Sequence, residues 1–283
     1  MANINTADIG FEKEIWKAAD LLRGNLDASE YKSVVLGLIF LKYLSDRFEA
    51  KYNELLAEGE GFEEDKDEYT SENIFYVPQD ARWSVIAAAA HTSEIGVVID
   101  NAMRQIEKEN LRLKGILPKN FARPELYKRR LGDVVDLFTN IQMREQGDTK
   151  DILGRTYEYC LSKFAEAEGK LAGEFYTPAC IVRTLVEVLQ PYHGRVYDPA
   201  CGSGSLLLKF AKVLGRDKVR QGFYGQEINL TTYNLCRINM FLHDIDFDKF
   251  NIANEDTLIS PAHWDEEPFE AIVSNPPYSI KWA

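Results

Sequence analysis

Apolar residues recur at helical spacing through the first half of the chain. Phe11, Ile15, Ala18/Ala19 and Leu22 form one stripe, and Val34, Leu38, Leu41 and Phe48 form a second. Leu36, Ile39 and Phe40 thicken the second stripe until that segment reads as apolar on nearly every face, as expected of a helix at the centre of a bundle. Residues 58–72, Glu-Gly-Glu-Gly-Phe-Glu-Glu-Asp-Lys-Asp-Glu-Tyr-Thr-Ser-Glu, predict an acidic, solvated connection. Two further helices are expected around 95–109 and 131–138, with Pro118 and Pro124 punctuating the stretch between them. The basic run Lys128-Arg129-Arg130 has the charge to touch a phosphate backbone, but so short a cluster reads most simply as solvated surface.

The polar stretch Gln146-Gly147-Asp148-Thr149-Lys150 reads as a joint, giving a helical domain over 1–150 and a second domain over 151–283. A helix over about 151–166 places Leu153, Tyr157, Cys160/Leu161 and Phe164 on one face. A loop bracketed by Gly169 and Gly173 follows, ending in Glu174-Phe175-Tyr176-Thr177-Pro178. Thr177 as N-cap and Pro178 at the first helical position predict a helix start, and that helix carries Ile181, Val182, Leu185, Val186 and Leu189. From Arg195 onward, strand-like and helix-like runs alternate: strands at 196–197, 223–226, 250–253 and 271–274, helices at 205–214 and 230–242. Such alternation predicts an open, mostly parallel sheet. Ligands of these sheets bind beyond the carboxyl ends of the strands.

Composition narrows the function. The net charge is −12, with 20 basic against 27 acidic side chains in residues 1–150 and 13 against 18 in residues 151–283. Neither half is a basic module of the kind that grips nucleic acid unaided, because phosphate contacts need clustered Lys and Arg. No apolar run approaches the roughly 20 residues of a membrane span. The N-terminus Met1-Ala2-Asn3-Ile4 lacks the basic and apolar regions of a signal peptide, so a cytoplasmic protein is expected. Cys160, Cys180, Cys201 and Cys236 stand singly, which favours reduced thiols over a disulfide or zinc framework. No metal site is expected either. His243, Asp244 and Asp246 read as a helix end and loop.

The chemistry lies at the predicted strand ends. Asp198-Pro199-Ala200-Cys201-Gly202-Ser203-Gly204 joins the first strand to a helix. Its glycines let the backbone approach a ligand, and the helix N-terminus offers N–H groups to an anion. A dinucleotide fingerprint would place a third glycine where Leu207 stands. The carboxylate of a methionine moiety therefore suits the turn better than a pyrophosphate. Glu227, about twenty residues on, can accept hydrogen bonds from both hydroxyls of a ribose. Asp256, after the third strand, is a candidate for the cofactor's adenine amino group. After the fourth strand come Asn275-Pro276-Pro277-Tyr278. The prolines stiffen the backbone, so that the Asn275 side-chain oxygen and the Pro276 carbonyl can both accept from one –NH2 group. Tyr278 offers a face on which a base can stack, worth about 1–3 kcal/mol. Together these strips describe a site for S-adenosylmethionine that presents an exocyclic amino group to the methyl. Carbon methylation of cytosine would need a cysteine nucleophile, whereas Cys201 lies inside the cofactor turn and Cys180 on a helix; both read as packing residues.

On these strips the chain resembles the modification (HsdM-type) subunit of type I restriction–modification systems, an N6-adenine DNA methyltransferase. Phe75-Tyr76-Val77-Pro78, Ala81-Arg82-Trp83, Ile106-Glu107-Lys108-Glu109-Asn110 and Leu113-Lys114-Gly115 are similar to the family's helical domain. Gly173-Glu174-Phe175-Tyr176-Thr177-Pro178 is similar to its cofactor motif before the first strand. The resemblance implies a helical N-terminal domain followed by a Rossmann-like class I S-adenosylmethionine-dependent methyltransferase domain, an α/β fold. It implies that Glu174, Phe175, Tyr176, Thr177, Pro178, Ala179, Ser203, Gly204, Ser205 and Glu227 contact the cofactor, beside Asp198, Gly202 and Asp256. It implies that Asn275 and Tyr278 engage a flipped adenine. As partners it implies DNA, a specificity subunit, a restriction subunit and a second modification subunit. Reading of DNA sequence by the specificity subunit would account for the acidic charge.

Family members run well past the point where this chain stops, five residues after Tyr278. The second domain is thus expected to be truncated at its C-terminal side, and the fragment alone to have little or no transferase activity. Asn-Pro-Pro-Tyr also occurs in methyltransferases of release-factor glutamine and of ribosomal guanine N2, which stay open as alternatives. So does a docking fragment that turns nothing over.

Overall fold

The computed structural model describes Trp16, Asp20, Leu22 and residues 28–140, 149–167, 179–190, 195–214, 222–264 and 267–276. The chain divides into two compact units, Met1–Thr149 and Lys150–Ala283. Among the described residues, no helix is long and apolar enough to cross a membrane.

The first unit is helical. Helix α1 spans Ala28–Glu58. Val34, Val35, Leu36, Leu38, Ile39, Phe40 and Leu41 are all buried, which accounts for an apolar pattern without a polar face. Around it stand α2 (Lys66–Thr70), α3 (Trp83–Ala88), α4 (Ile95–Glu109) and α5 (Lys128–Asn140). Helix α4 buries Ile95, Ile99, Ala102, Met103 and Ile106, while α5 buries Leu131, Val134, Val135 and Phe138. The buried Asp100 carboxylate accepts the N–H groups of Phe121 at 2.9 Å and Ala122 at 3.1 Å, which pins the segment crossing α4.

Two expectations for this unit are corrected. The acidic stretch 58–72 is not solvated throughout, because it contains α2, and Tyr69 on that helix is fully buried. Asp65 caps α2 by accepting from Asp67 N at 3.0 Å, and the Tyr69 ring stacks on Phe48 and meets Tyr76 edge-on. Nor is the basic run simply solvated. It forms the first turn of α5, and Lys128 Nζ donates to the carbonyls of Phe121 and Arg123 at 3.1 and 3.0 Å.

The second unit begins with α6 (Thr149–Ala167) and α7 (Ala179–Leu189). Strands β1 (Val196–Asp198), β2 (Phe223–Gln226), β3 (Phe250–Ala253) and β4 (Ala271–Ile272) follow. Helix α8 (Ser205–Leu214) stands between β1 and β2, and α9 (Leu230–Leu242) between β2 and β3. All the pairings are parallel, in the order β3-β2-β1-β4. Tyr157 on α6 is fully buried and donates to the Leu235 carbonyl at 3.2 Å, fastening α6 to α9. The fourth strand is shorter than expected, although Val273 N still reaches Tyr197 O at 2.8 Å. On α7, Val182 and Val186 are buried whereas Ile181 and Leu189 are exposed. Cys180, expected as a packing residue, is also exposed. His243 caps the end of α9, in keeping with the pattern.

Candidate functional site

The carboxyl ends of the four parallel strands gather the candidate residues. Asp198 closes β1 and is 2% exposed. Its carboxylate accepts from Ala200 N at 3.0 Å. Burial pushes the carboxyl up to about 7, and the nearby Glu227 charge acts in the same direction.

After Asp198 the chain turns through Gly202 and Gly204, whose φ angles are +55° and +79°. These left-handed conformations suit glycine. A Cβ on Gly202 would meet nothing within 4 Å, so the backbone there opens onto free space. A Cβ on Gly204 would lie 2.8 Å from Cys236 Sγ and 3.1 Å from Met240 Cε, so the turn rests directly on α9. The fully buried Asn239 braces it by donating to Ser203 O at 3.0 Å. Ser203 and Ser205 lie hydroxyl to hydroxyl at 3.0 Å where α8 begins.

Glu227 follows β2 and faces the same turn. It accepts from Asn229 N at 2.7 Å, and the backbone N–H of Gly202 favours its charged form. Burial raises its carboxyl above the usual range, against the pull of these backbone donors. Asn254, after β3, donates to the Glu227 and Ile228 carbonyls at 2.7 and 3.0 Å and holds that backbone in place. Thr257 Oγ1 donates to Pro199 O at 2.5 Å, bringing the β3–β4 loop over the glycine turn. In that loop one oxygen of Asp256 accepts from Leu258 N at 2.9 Å and closes a local turn. Asn275, just past β4, is half-buried, and Pro276 is exposed.

Asp198, Gly202, Ser203, Gly204, Ser205 and Glu227 are thus brought together. Asp256 and Asn275 lie on the flanking strand ends. Ala179 is the first residue of α7. Glu174, Phe175, Tyr176, Thr177, Pro178, Pro277 and Tyr278 lie outside the described residues. Sequence reasoning missed three residues. Asn254 acts through bonds to the end of β2, and Ser274 follows β4 close enough to Asp198 to favour its charged form. Ile228 is 64% exposed, and an apolar side chain directly after a strand-end carboxylate was its only signal.

The open space at Gly202, the start of α8 and the Glu227 carboxylate fit an adenosyl-amino acid. Cys201 is 5% exposed, and hydrogen bonding to Cys236 together with burial raises its thiol well above the ordinary value, unlike a poised nucleophile. Among the described residues, no group of three or more His, Cys, Asp or Glu is placed to hold a metal ion.

A family model described as N-6 DNA Methylase matches residues 148–283, and one described as HsdM N-terminal domain matches residues 11–138. The chain is 33% identical over 292 residues to the Type I restriction enzyme MjaIX methylase subunit of Methanocaldococcus jannaschii, covering 95% of this chain and 51% of that protein. It is 35% identical over 325 residues to the MpnII methylase subunit of Mycoplasma pneumoniae, with 97% and 59% covered. A solved methyltransferase subunit of a type I restriction-modification system from Streptococcus thermophilus superposes with a TM-score of 0.79 at 27% identity, covering 97% of this chain and 64% of that one. The chain spans about half the length of the curated relatives it matches. Two adjoining family models match the chain and relatives align along nearly its whole length, and the chain belongs to the HsdM-type N-6 DNA methylase family, the methylase subunits of type I restriction enzymes.

Proposed function

We propose that the protein transfers a methyl group from S-adenosylmethionine to N6 of a flipped adenine in DNA, as the modification subunit of a type I restriction–modification complex. The observation that carries this reading is the meeting of Glu227, the Gly202–Gly204 turn and Asp198 at strand ends adjoining Asn275. The cofactor would supply an electrophilic sulfonium methyl. Glu227 accepts the ribose hydroxyls, and exposed Ile228 offers apolar contact to a purine. The N–H groups at the start of α8 receive a carboxylate. The Asn275 side-chain oxygen and the Pro276 carbonyl accept the two amino hydrogens of the base and aim its nitrogen. An aromatic amine is a weak nucleophile, so alignment is the main task, and alignment can lower such a barrier by roughly 7–11 kcal/mol. Taking a base out of the duplex requires a few kcal/mol.

With a net charge of −12, the protein depends on a specificity subunit to read DNA. A second modification subunit and a restriction subunit complete the assembly. The test uses the full-length protein with its specificity subunit and radiolabelled S-adenosylmethionine. Label is expected on adenine N6. Asn275→Ala should lower transfer at least about a hundredfold, with cofactor affinity within about twofold of wild type. Loss of transfer and affinity together, or label on protein or RNA, would overturn the assignment.

A further inference from the structure

We propose that Gln226 is a positioning residue for the cofactor's purine: its buried side-chain amide fastens the turn at 256–260 and so decides how well Asp256 recognises a 6-amino group. Because that purine belongs to the cofactor of the functional reading above, the role of Gln226 rests on that reading.

Gln226 closes β2 and is wholly buried. Its Oε1 accepts from the Tyr197 hydroxyl at 2.7 Å and from Ala262 N at 3.0 Å, and its Nε2 donates to Ser260 O at 3.0 Å. A backbone N–H can only donate and a backbone carbonyl can only accept, so Ala262 and Ser260 together fix which way the amide faces. The main chain of the same residue serves the other side of the site, where Gln226 O accepts from Cys201 N at 2.9 Å. One residue thus ties both the glycine turn and the β3–β4 loop to the end of β2.

The loop needs such ties. Residues 258–262 are all exposed, so burial of apolar surface does little to hold them. Within the loop, Asp256 O accepts from Ile259 N at 3.2 Å and from Ser260 N at 2.7 Å, while Asp256 Oδ1 accepts from Leu258 N at 2.9 Å. Asp256 and Ser260 therefore move together, and Ser260 is the residue that Gln226 holds. Thr257 on Pro199 O, and buried His263 with Nε2 at 3.1 Å from Gly225 O, add ties on either side. With one oxygen committed to Leu258, the second oxygen of Asp256 accepts from the purine amino group.

The experiment uses the full-length protein and calorimetric titration with two ligands. One is S-adenosylhomocysteine; the other is its analogue with hydrogen in place of the purine 6-amino group. The wild type should favour the amino ligand at least about tenfold, as a hydrogen bond to a carboxylate does. Gln226→Met keeps the side chain's length and removes its bonds, and should reduce that preference to within about twofold. Loss of pocket shape alone would weaken both ligands equally and leave the preference intact, which would overturn the proposal. Hydrogen exchange at Leu258 and Ser260, whose amides bond within the turn rather than to Gln226, should quicken in the variant. Should Gln226→Met not fold, Tyr197→Phe decides. It keeps the ring that stacks on Phe269 and withdraws one donor from Gln226, so the preference should fall about threefold and the same amides should exchange faster. Unchanged preference and exchange in the variant tested would overturn the role of Gln226. A wild type that binds neither ligand would overturn the cofactor reading instead, and exchange would still decide whether Gln226 holds the turn.

Discussion

Replacing Asp198 by asparagine removes a buried charge while keeping the shape that the strand end needs. The amide oxygen can still accept from Ala200 N–H. In the wild type the carboxyl holds its proton up to about pH 7 when folded, against an ordinary value of 3.8. The folded state therefore binds the proton more tightly than the unfolded state. The stability tied to this group is fully present below pH 3.8 and is lost as pH rises to about 7. At about 1.4 kcal/mol per pH unit, the whole interval corresponds to about 4 kcal/mol, and the part between about pH 5 and 7 to about 3 kcal/mol. The carboxamide does not titrate, so the stability of Asp198→Asn relative to the wild type should rise by about 3 kcal/mol between about pH 5 and pH 8. Unfolding is followed by calorimetry, with a separate transition fitted for each of the two units. The difference between the two proteins cancels the titration of groups that do not interact with Asp198. Parallel stability curves across that pH range would refute the premise that Asp198 ionises in a desolvated strand end.

The glycine turn allows an internal comparison: Gly202→Ala strains only the backbone, at about 1 kcal/mol, whereas Gly204→Ala also drives a Cβ to within 2.8 Å of Cys236 Sγ. Denaturant midpoints should therefore fall further for position 204, and the opposite ranking would mean that the turn does not rest on α9. In the first unit, Gly96→Ala places a Cβ 2.2 Å from Phe121 O, so the segment held by Asp100 must move. A loss of about 3 kcal/mol is expected, and an unchanged melting temperature would show that the crossing is looser than described.

The elements of the second unit are largely legible in the sequence. The segments 205–214, 223–226, 230–242 and 250–253 fold as their periodicity predicts, because each has a clear spacing and glycine or polar punctuation. The last strand ends two residues before its own pattern does. The apolar run Ala271-Ile272-Val273 suggests a strand continuing to Ser274, but the partner that would extend the ladder is Pro199, which no local pattern of β4 reveals. Tyr69 is hidden for a related reason. Its neighbours Glu68 and Thr70 are polar, and its ring finds apolar partners in Phe48 and Tyr76, on other segments.

Within the candidate site, the glycine turn, Glu227 and Asn275 stand out by residue type, since left-handed backbone and strand-end carboxylates leave local signatures. Ser274 and Asn254 leave none, because a serine or asparagine after a strand is ordinary until its partner is known. The sequence by itself determined the helical first half, the alternating second half and the residue types offered at the strand ends, since periodicity and turn stereochemistry act over a few positions. Only the tertiary structure decided that Asp198 is buried beside Glu227, that Lys128 serves two carbonyls and that Asn254 holds the backbone of Glu227. Desolvation and hydrogen-bond satisfaction depend on atoms brought together from distant segments, and neighbouring residues carry no record of them.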